Sequence, residues 1–552
     1  MNKINKGSVT KQEMNPYNAF LRDQILITNT ALGSVLAQAL MTEFGVKADH
    51  ARKLLERATE KGIMKSSKPL TFGKGKYLYL NPDWYFTLNL IKENSISTRP
   101  TLYRLLDLLD LNVGVVSYYE ALKLTASPEE KTSTKVSLLK DMLSDLRQLK
   151  LTEERQDIRG IRYVLHRAPR AIEDEELHYK EMMTLHYERM RIDALFIRDM
   201  LHDLDATNLI DSDNAVYRGV GSPSIGAKHN GLLWDAIAYS RTTGINPVNA
   251  AQAKTIDKQT LVVLDAVISR KYEQIDLDGF YDRIQIHINS VTKQARKVVP
   301  MILYYQIDDL TLNRARKMGF LTYSLAQRYG SNISKVMNNI QFIFMMPETP
   351  NLGKLIEQTL SALSPHVEES KALRGALFEA LMKPVFRHFY SQSLIYSDLI
   401  LTDPEDGMKK REFDFVIISS HPKEIVLVEL KGYPSSSSIA LSKLDKKMVE
   451  RKGTIKYFAE GSVPLARRHY KLDLQYENYP VRMIFMTTGG YYEDGQQYLR
   501  TLNTGKLKPA KLDTGYDGAK LVALLRTEGF THEASIITKY FSKEDTIIDA
   551  EA

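Results

Sequence analysis

At 552 residues and 63.0 kDa the chain is too long for one hydrophobic core, and roughly three to five folding units are expected. Its 43% hydrophobic and 26% charged residues are those of an ordinary globular protein, and no apolar run approaches the ~20 residues of a membrane helix. The net charge is +8, and cysteine is absent, which excludes disulfides, zinc–cysteine sites, iron–sulfur clusters and thiol nucleophiles. The opening MNKINKGSVTKQEMNPYNAF lacks the apolar stretch of a secretory signal, so a cytoplasmic location without a membrane partner is expected.

The charge is unevenly placed. Residues 1–170 carry 27 Lys and Arg against 18 Asp and Glu, a net +9, which leaves about −1 for the remainder. A polyanion is therefore expected to dock on the N-terminal third.

In chain order, residues 15–83 read as three helices and a hairpin. ALGSVLAQALMTEFGV is helical and closed by Gly45. Residues 48–64 place Ala51, Leu54, Leu55 and Ala58 on one helical face, with Arg52, Lys53, Arg57 and Lys61 on the others. KPLTFGKGKYLYL makes two short strands around a Gly-Lys-Gly turn bearing Lys74 and Lys76. The order of elements describes a winged helix. It repeats loosely: helices over 102–111 and 115–124, a helix over 135–149 with Lys140 and Arg147, and the hairpin ERQDIRGIRYVLHR with Arg159 and Arg162. Tandem winged helices (1–95 and 96–170) are the expectation, with those ten basic residues as the DNA-binding set. Protein docking by the same modules is the alternative.

A long amphipathic helix, about 173–204 within a connecting segment 171–205, leads to an α/β unit over 206–350. Its strand-like runs are LLWDAIAYS, TLVVLDAVIS and KVVPMILYYQI, closed by a helix LTLNRARKMGFLTYSLAQRYG. A second α/β unit, 351–552, repeats the order of elements.

In that second unit the helix KALRGALFEALMK precedes the strands REFDFVIIS and EIVLVELKG, joined by a turn at SHPK. Alternation along a strand puts Glu429 and Lys431 on one face. If the hairpin pairs as drawn, Asp414 sits beside Glu429. Two carboxylates at that range call for a cation between them, and a hard ion such as Mg²⁺ takes such oxygen ligands. Lys431 beside it is suited to steadying a phosphate or orienting water.

Asp414, followed after 14 intervening residues by Glu429-Leu430-Lys431, resembles the PD-(D/E)xK motif of restriction-endonuclease-like enzymes, with Phe413 in place of the proline. Over about 352–530, taking in the helix KKMVERKGTIKYF and the strand PVRMIFMTT, the resemblance implies an α/β core with a mixed sheet. It implies Mg²⁺-dependent phosphodiester hydrolysis, with Mn²⁺ as a substitute ion. The family's helix acid matches Glu379, with Glu368 and Glu369 as fallbacks. The catalytic set is then Asp414, Glu429, Lys431 and Glu379, and the metal set Asp414, Glu429 and Glu379. Pro384 is expected to break or kink the helix that carries Glu379.

The middle unit reads as a degenerate copy of the same plan: Asp235 and Asp265 are present, Val267 stands where the lysine belongs, and Arg270 or Lys271 are possible substitutes. No phosphate-binding loop and no G-x-S-x-G elbow occurs, so ATP hydrolysis, if needed, comes from a separate subunit. The expected whole is a multidomain α+β and α/β chain: tandem winged helices followed by two restriction-endonuclease-like units. Its expected activity is metal-dependent DNA endonuclease, with restriction or anti-phage defence as the biological role. The alternative is a DNA-binding or assembly subunit whose nuclease fold is inactive or partner-activated. A second copy of the chain is also a candidate partner.

Overall fold

The structure, a computed structural model, describes all residues except 1–14, 74–75, 130–137, 168–173, 241–259, 291–296, 347–348, 364–369, 434–436, 445–452 and 542–552. Lys74, Glu368, Glu369 and the whole segment KKMVERK lie outside the described residues. Among the described residues no helix is long and apolar enough to cross a membrane.

The first module runs helix Pro16–Thr28, strand Thr30–Leu32, helices Gly33–Phe44 and Ala48–Glu60, then strands Lys65–Ser66 and Leu78–Leu80. Asn15 caps the first helix through the Tyr17 N–H at 2.9 Å, with Pro16 opening it. Gly45, at φ 62°, ends the second. The strands pair in the spatial order first, third, second. The next module repeats this with helix Pro100–Leu111, strand Val115–Ser117, helices Tyr118–Thr125 and Leu139–Gln148, and strands Thr152–Gln156 and Arg162–His166. Residues 115–117 are thus a strand, not the start of a helix. Val115 and Val116 favour the extended chain, and Ser117 with Glu120 forms a capping box that starts the helix one residue later.

The expected single connecting helix is two, Glu175–Ala194 and Ile197–Ala206. The expected helix over 310–330 also divides: Asp309–Lys317 ends before Gly319 (φ 80°), Leu321–Ser324 joins a sheet, and a short helix follows.

Each α/β unit contains a five-stranded sheet of the same plan. In spatial order the middle sheet is Ile210–Tyr217, Ala236–Ser240, Leu261–Val267, Val298–Tyr304 and Leu321–Ser324. The C-terminal sheet is Leu394–Thr402, Lys410–Ser420, Lys423–Lys431, Val481–Thr487 and Gly515–Tyr516. In both, the first three strands are antiparallel and the last two join in parallel. The central strands are apolar on both faces because both are covered. One face of each sheet contributes to a single continuous core: Val262, Leu264 and Leu303 from the middle sheet, and Phe415, Val426 and Ile484 from the C-terminal one. The helices Ile333–Met345, Leu352–Ala362 and Lys371–Phe389 pack into the same core. The two units are thereby fixed against each other, and their facing edges enclose a cleft.

The helix Lys371–Phe389 runs through Pro384 to Phe389, so the expected break does not occur. Leu381, Met382, Val385 and Phe386 around the proline are buried in the shared core, which offsets the lost backbone hydrogen bond.

Candidate active site

The strand Lys410–Ser420 pairs with Lys423–Lys431 in a register that ends at Phe415 opposite Val428, which leaves Asp414 beside Glu429 one step past the last paired residues. Asp414 accepts the Leu430 N–H through Oδ2 at 2.5 Å, which locks the hairpin and the acid together. Lys431 extends along the same face and its Nζ donates to Glu429 Oε1 at 2.5 Å, with both side chains mostly buried. The strand signal therefore places Asp414, Glu429 and Lys431 as expected.

Glu379 is close to them, lining the same cleft as Asp414 and Lys431, but it faces Arg191 of the helix Glu175–Ala194, whose guanidinium donates to Glu379 Oε2 at 2.7 Å. Arg191 also pairs with Glu188 at 3.2 Å and with Asp398 at 3.3 Å. Asp398 was not among the expected residues. It lies on the strand Leu394–Thr402, across from Asp414 in the register that pairs Ser397 with Phe415 and Leu399 with Phe413. It is 2% exposed, its φ is 51°, and its Oδ2 has no hydrogen bond despite the ion pair with Arg191. An aspartate interrupting the apolar run LIYSDLILT was the one signal that pointed to it. Glu412, two residues before Asp414, is a further acid at the edge; Gly221 of the loop after Tyr217 packs against its carboxylate. Valine at Gly221 is expected to displace that carboxylate and to cost about 1–3 kcal/mol, read as a lower melting temperature.

The electrostatics follow from this crowding. Burial, and then Asp398, push Glu379 up to about 8 against the pull of Arg191. Burial, then Glu429, raise Asp414 well above the carboxylate range. Burial, Asp398, Asp414 and Glu429 push Glu412 up to about 8, although its side chain remains open to solvent on one side and is screened there. Against burial, Glu429 and then Asp414 hold Lys431 above the usual lysine range. Carboxylates crowded in this way are relieved by positive charge placed between them. Among the described residues no three acidic or histidine groups stand close enough to hold a metal ion in this arrangement. Asp414 and Glu429 fit such an ion by donor chemistry; Glu379 and Asp398 already have a cation in Arg191.

The cleft itself holds about 270 Å³, and its walls come from three parts of the chain: Arg198 from the connecting helices, Tyr217 from the middle unit, and Lys371, Glu379, Asp414, Lys431 and Tyr433 from the C-terminal one. Arg198 and Lys371 are exposed at its mouth.

The middle unit has the matching constellation. Ala236 pairs with Leu264, so Asp235 lies opposite Asp265, as Asp414 lies opposite Glu429. Asp235 Oδ2 accepts the N–H of Ala266 at 2.7 Å, the counterpart of the bond from Leu430 to Asp414. Val267 occupies the position of Lys431. The expected substitutes do not reach the pair: Arg270 is committed to Asp276 by two bonds of 2.7 Å, and Lys271 pairs with Glu273 and Asp308. Arg218 and Arg283 do reach it, at 3.1 Å from Asp235 and 2.5 Å from Asp265, and so does Lys123 of the second N-terminal module.

Of the ten expected DNA-binding residues, Arg52, Lys53 and Arg57 are exposed on the helix Ala48–Glu60, with Lys61 just past its end and Lys76 before the strand Leu78–Leu80. Lys140 and Arg147 are exposed on the helix Leu139–Gln148, and Arg162 is stacked on Tyr118 at 3.5 Å. Arg159 departs from the expectation. It is 10% exposed, lies over the Tyr187 ring at 4.0 Å and pairs with Asp157, so its hairpin turns it into the body of the protein and away from solvent.

The chain matches no protein-family description, no curated protein and no solved structure.

Proposed function

We propose that the chain is a divalent-metal-dependent DNA endonuclease whose C-terminal unit hydrolyses the phosphodiester bond and whose N-terminal modules hold the duplex. The observation that carries this reading is Asp414 beside Glu429 on adjacent strands, with Lys431 bonded to Glu429, and with Asp414 and Lys431 lining a cleft edged by Arg198 and Lys371. Asp414 and Glu429 would hold the cation. Bound there, a divalent ion supplies Lewis-acid polarisation of the phosphate and makes water a better nucleophile. Lys431 places a fixed positive charge where negative charge grows on the phosphorane oxygens, and Arg198 and Lys371 bind flanking phosphates. The order of helices and strands in both N-terminal modules supports the winged-helix reading, and the shared strand plan of the two sheets supports a duplicated restriction-endonuclease-like fold.

Supercoiled plasmid and a structured RNA, each incubated with Mg²⁺, Mn²⁺ or EDTA, test it: metal-dependent nicking of the DNA is expected, and cleavage of neither with any ion overturns the activity. In the defence role, expression lowers phage plating efficiency. A double Arg52→Ala, Arg57→Ala variant is expected to bind duplex about tenfold more weakly at 0.1 M salt. Its log–log salt slope falls by about 1.8, since each lost phosphate contact removes about 0.9.

A second reading has a specific observation in its favour. Arg191 sits on Glu379 and Asp398, so a form that cuts only after a partner or a particular DNA draws that arginine away fits the arrangement.

A further inference from the structure

The middle carboxylate pair raises a separate question, because Asp235 and Asp265 are 0% and 2% exposed and opposite each other. Such a pair needs positive charge between its members. The ammonium of Lys123 supplies it, contacting Asp235 Oδ2 and, at 3.0 Å, Asp265 Oδ1. Lys431, by contrast, bonds to Glu429 in the C-terminal unit, and among the described residues no ion pair joins it to a second carboxylate. Lys123 therefore bridges two carboxylates, as a bound cation does. Against burial, Lys123 and then Arg283 hold Asp265 well below the usual carboxylate range. The space left is about 20 Å³, room for roughly one water, against 270 Å³ in the other unit.

The lysine comes from a separate folding module, 112 residues before Asp235. Its helix is set by the Ser117–Glu120 capping box, whose carboxylate also binds His186 at 2.5 Å. Tyr119, one turn before Lys123 on the same face, donates to Asp235 Oδ1 at 2.8 Å. Around this point the module docks closely: Arg104 reaches Asp282 at 2.7 Å, and a side chain at Gly279 would run into the Leu124 carbonyl.

We infer that Lys123 is a tethered cation that closes the middle carboxylate pair to divalent ions and pins the second N-terminal module onto the middle sheet. The inference stands on this geometry and does not depend on the chain being a nuclease. It makes the middle site a joint, and it makes the direction in which the N-terminal arm presents DNA a consequence of one buried ion cluster. Arg218 and Arg283 each reach one member of the pair, but Arg218 is shared with Asp193 at 3.9 Å, so three carboxylates face three cations here. Removing the ammonium therefore leaves one negative charge unbalanced, and two remedies exist: neutralise one acid, or admit another cation.

Because the chain has no cysteine, single spin labels can be placed cleanly at exposed Val113 and Leu310, one in the module and one on the middle unit. In the full chain carrying V113C and L310C, a narrow interspin distance distribution is expected. Lys123→Ala should broaden it at least twofold, and adding Asp235→Asn, or adding Mg²⁺ to the single variant, should narrow it again. An unchanged distribution in Lys123→Ala overturns the inference. So does a double variant as broad as the single one, and failure of Mg²⁺ to narrow the single variant overturns the cation-replacement half. Should Lys123→Ala alone yield no folded protein, recovery of soluble chain by Asp235→Asn carries the same comparison, and persistent insolubility refutes it.

Discussion

Alanine at Lys431 is expected to lower metal-dependent cleavage by about 10³-fold while leaving duplex binding by the N-terminal modules unchanged. The reason is positional. The ammonium is held on Glu429 Oε1 at 2.5 Å and faces the cleft, so its charge is already in place when the phosphate becomes more negative and no reorganisation is needed. Losing one such preorganised group typically costs two to three orders of magnitude, about 3–4 kcal/mol of transition-state stabilisation. Asparagine at Asp414 is expected to be equally inactive, but with the opposite signature in stability. Asp414 is a carboxyl that burial and Glu429 disfavour in its charged form, so removing its charge should raise the melting temperature in EDTA at pH 8. A residue kept for packing would not lose activity and gain stability together; a ligand kept for a cation does both. Cleavage assays and thermal unfolding of the two variants check this, and an Asp414→Asn protein that melts lower than wild type in EDTA speaks against a cation site.

What made this hairpin legible was its regularity. Alternation in REFDFVIIS and EIVLVELKG, with a turn at SHPK between, fixed both strands and their register, and with them Asp414, Glu429 and Lys431. The rest of the acid cluster was hidden because it is assembled across long separations. Arg191 meets Glu379 from 188 residues away, and nothing local in ERMRIDAL marks that arginine as an ion-pair partner. Nothing local in YYEALKLT marks Lys123, and only the docking of its helix on the middle sheet brings it to Asp235 and Asp265. The same limit explains Arg159, whose hairpin was read correctly but whose orientation depends on Tyr187 of a later helix. Of the break or kink expected at Pro384, the break does not occur for a related reason: local propensity favours it, whereas burial of Leu381, Val385 and Phe386 in a core shared by two units decides for continuity.

The same cluster makes stability fall as pH rises, the reverse of what ordinary salt-bridged carboxylates do. Glu379 moves from the ordinary 4.5 up to about 8 on folding, by burial and then Asp398, and Asp414 moves in the same direction. For an acid whose folded pKa is raised, the folded state binds the extra proton. Its contribution is fully present below about 4.5 and is lost as pH climbs towards 8. At 1.36 kcal/mol per unit, Glu379 alone contributes on the order of 5 kcal/mol over that window. Asp199, raised to about 6 by burial, adds to the fall in its lower half. Thermal unfolding in EDTA is therefore expected to show a melting temperature that drops by several degrees between pH 5 and pH 8. Mg²⁺ at about 100 times its dissociation constant should restore about 3 kcal/mol at pH 8 and little at pH 5, where Asp414 is protonated. Binding at pH 7 should accordingly release protons, visible as a buffer-dependent heat in calorimetry. Replacing Arg191 by methionine should steepen the pH dependence, because Glu379 and Asp398 then lose the cation that now offsets their repulsion. A melting temperature that is flat or rises across this window would mean that the acids are kept apart by solvent, and the case for a cation between them would go with it.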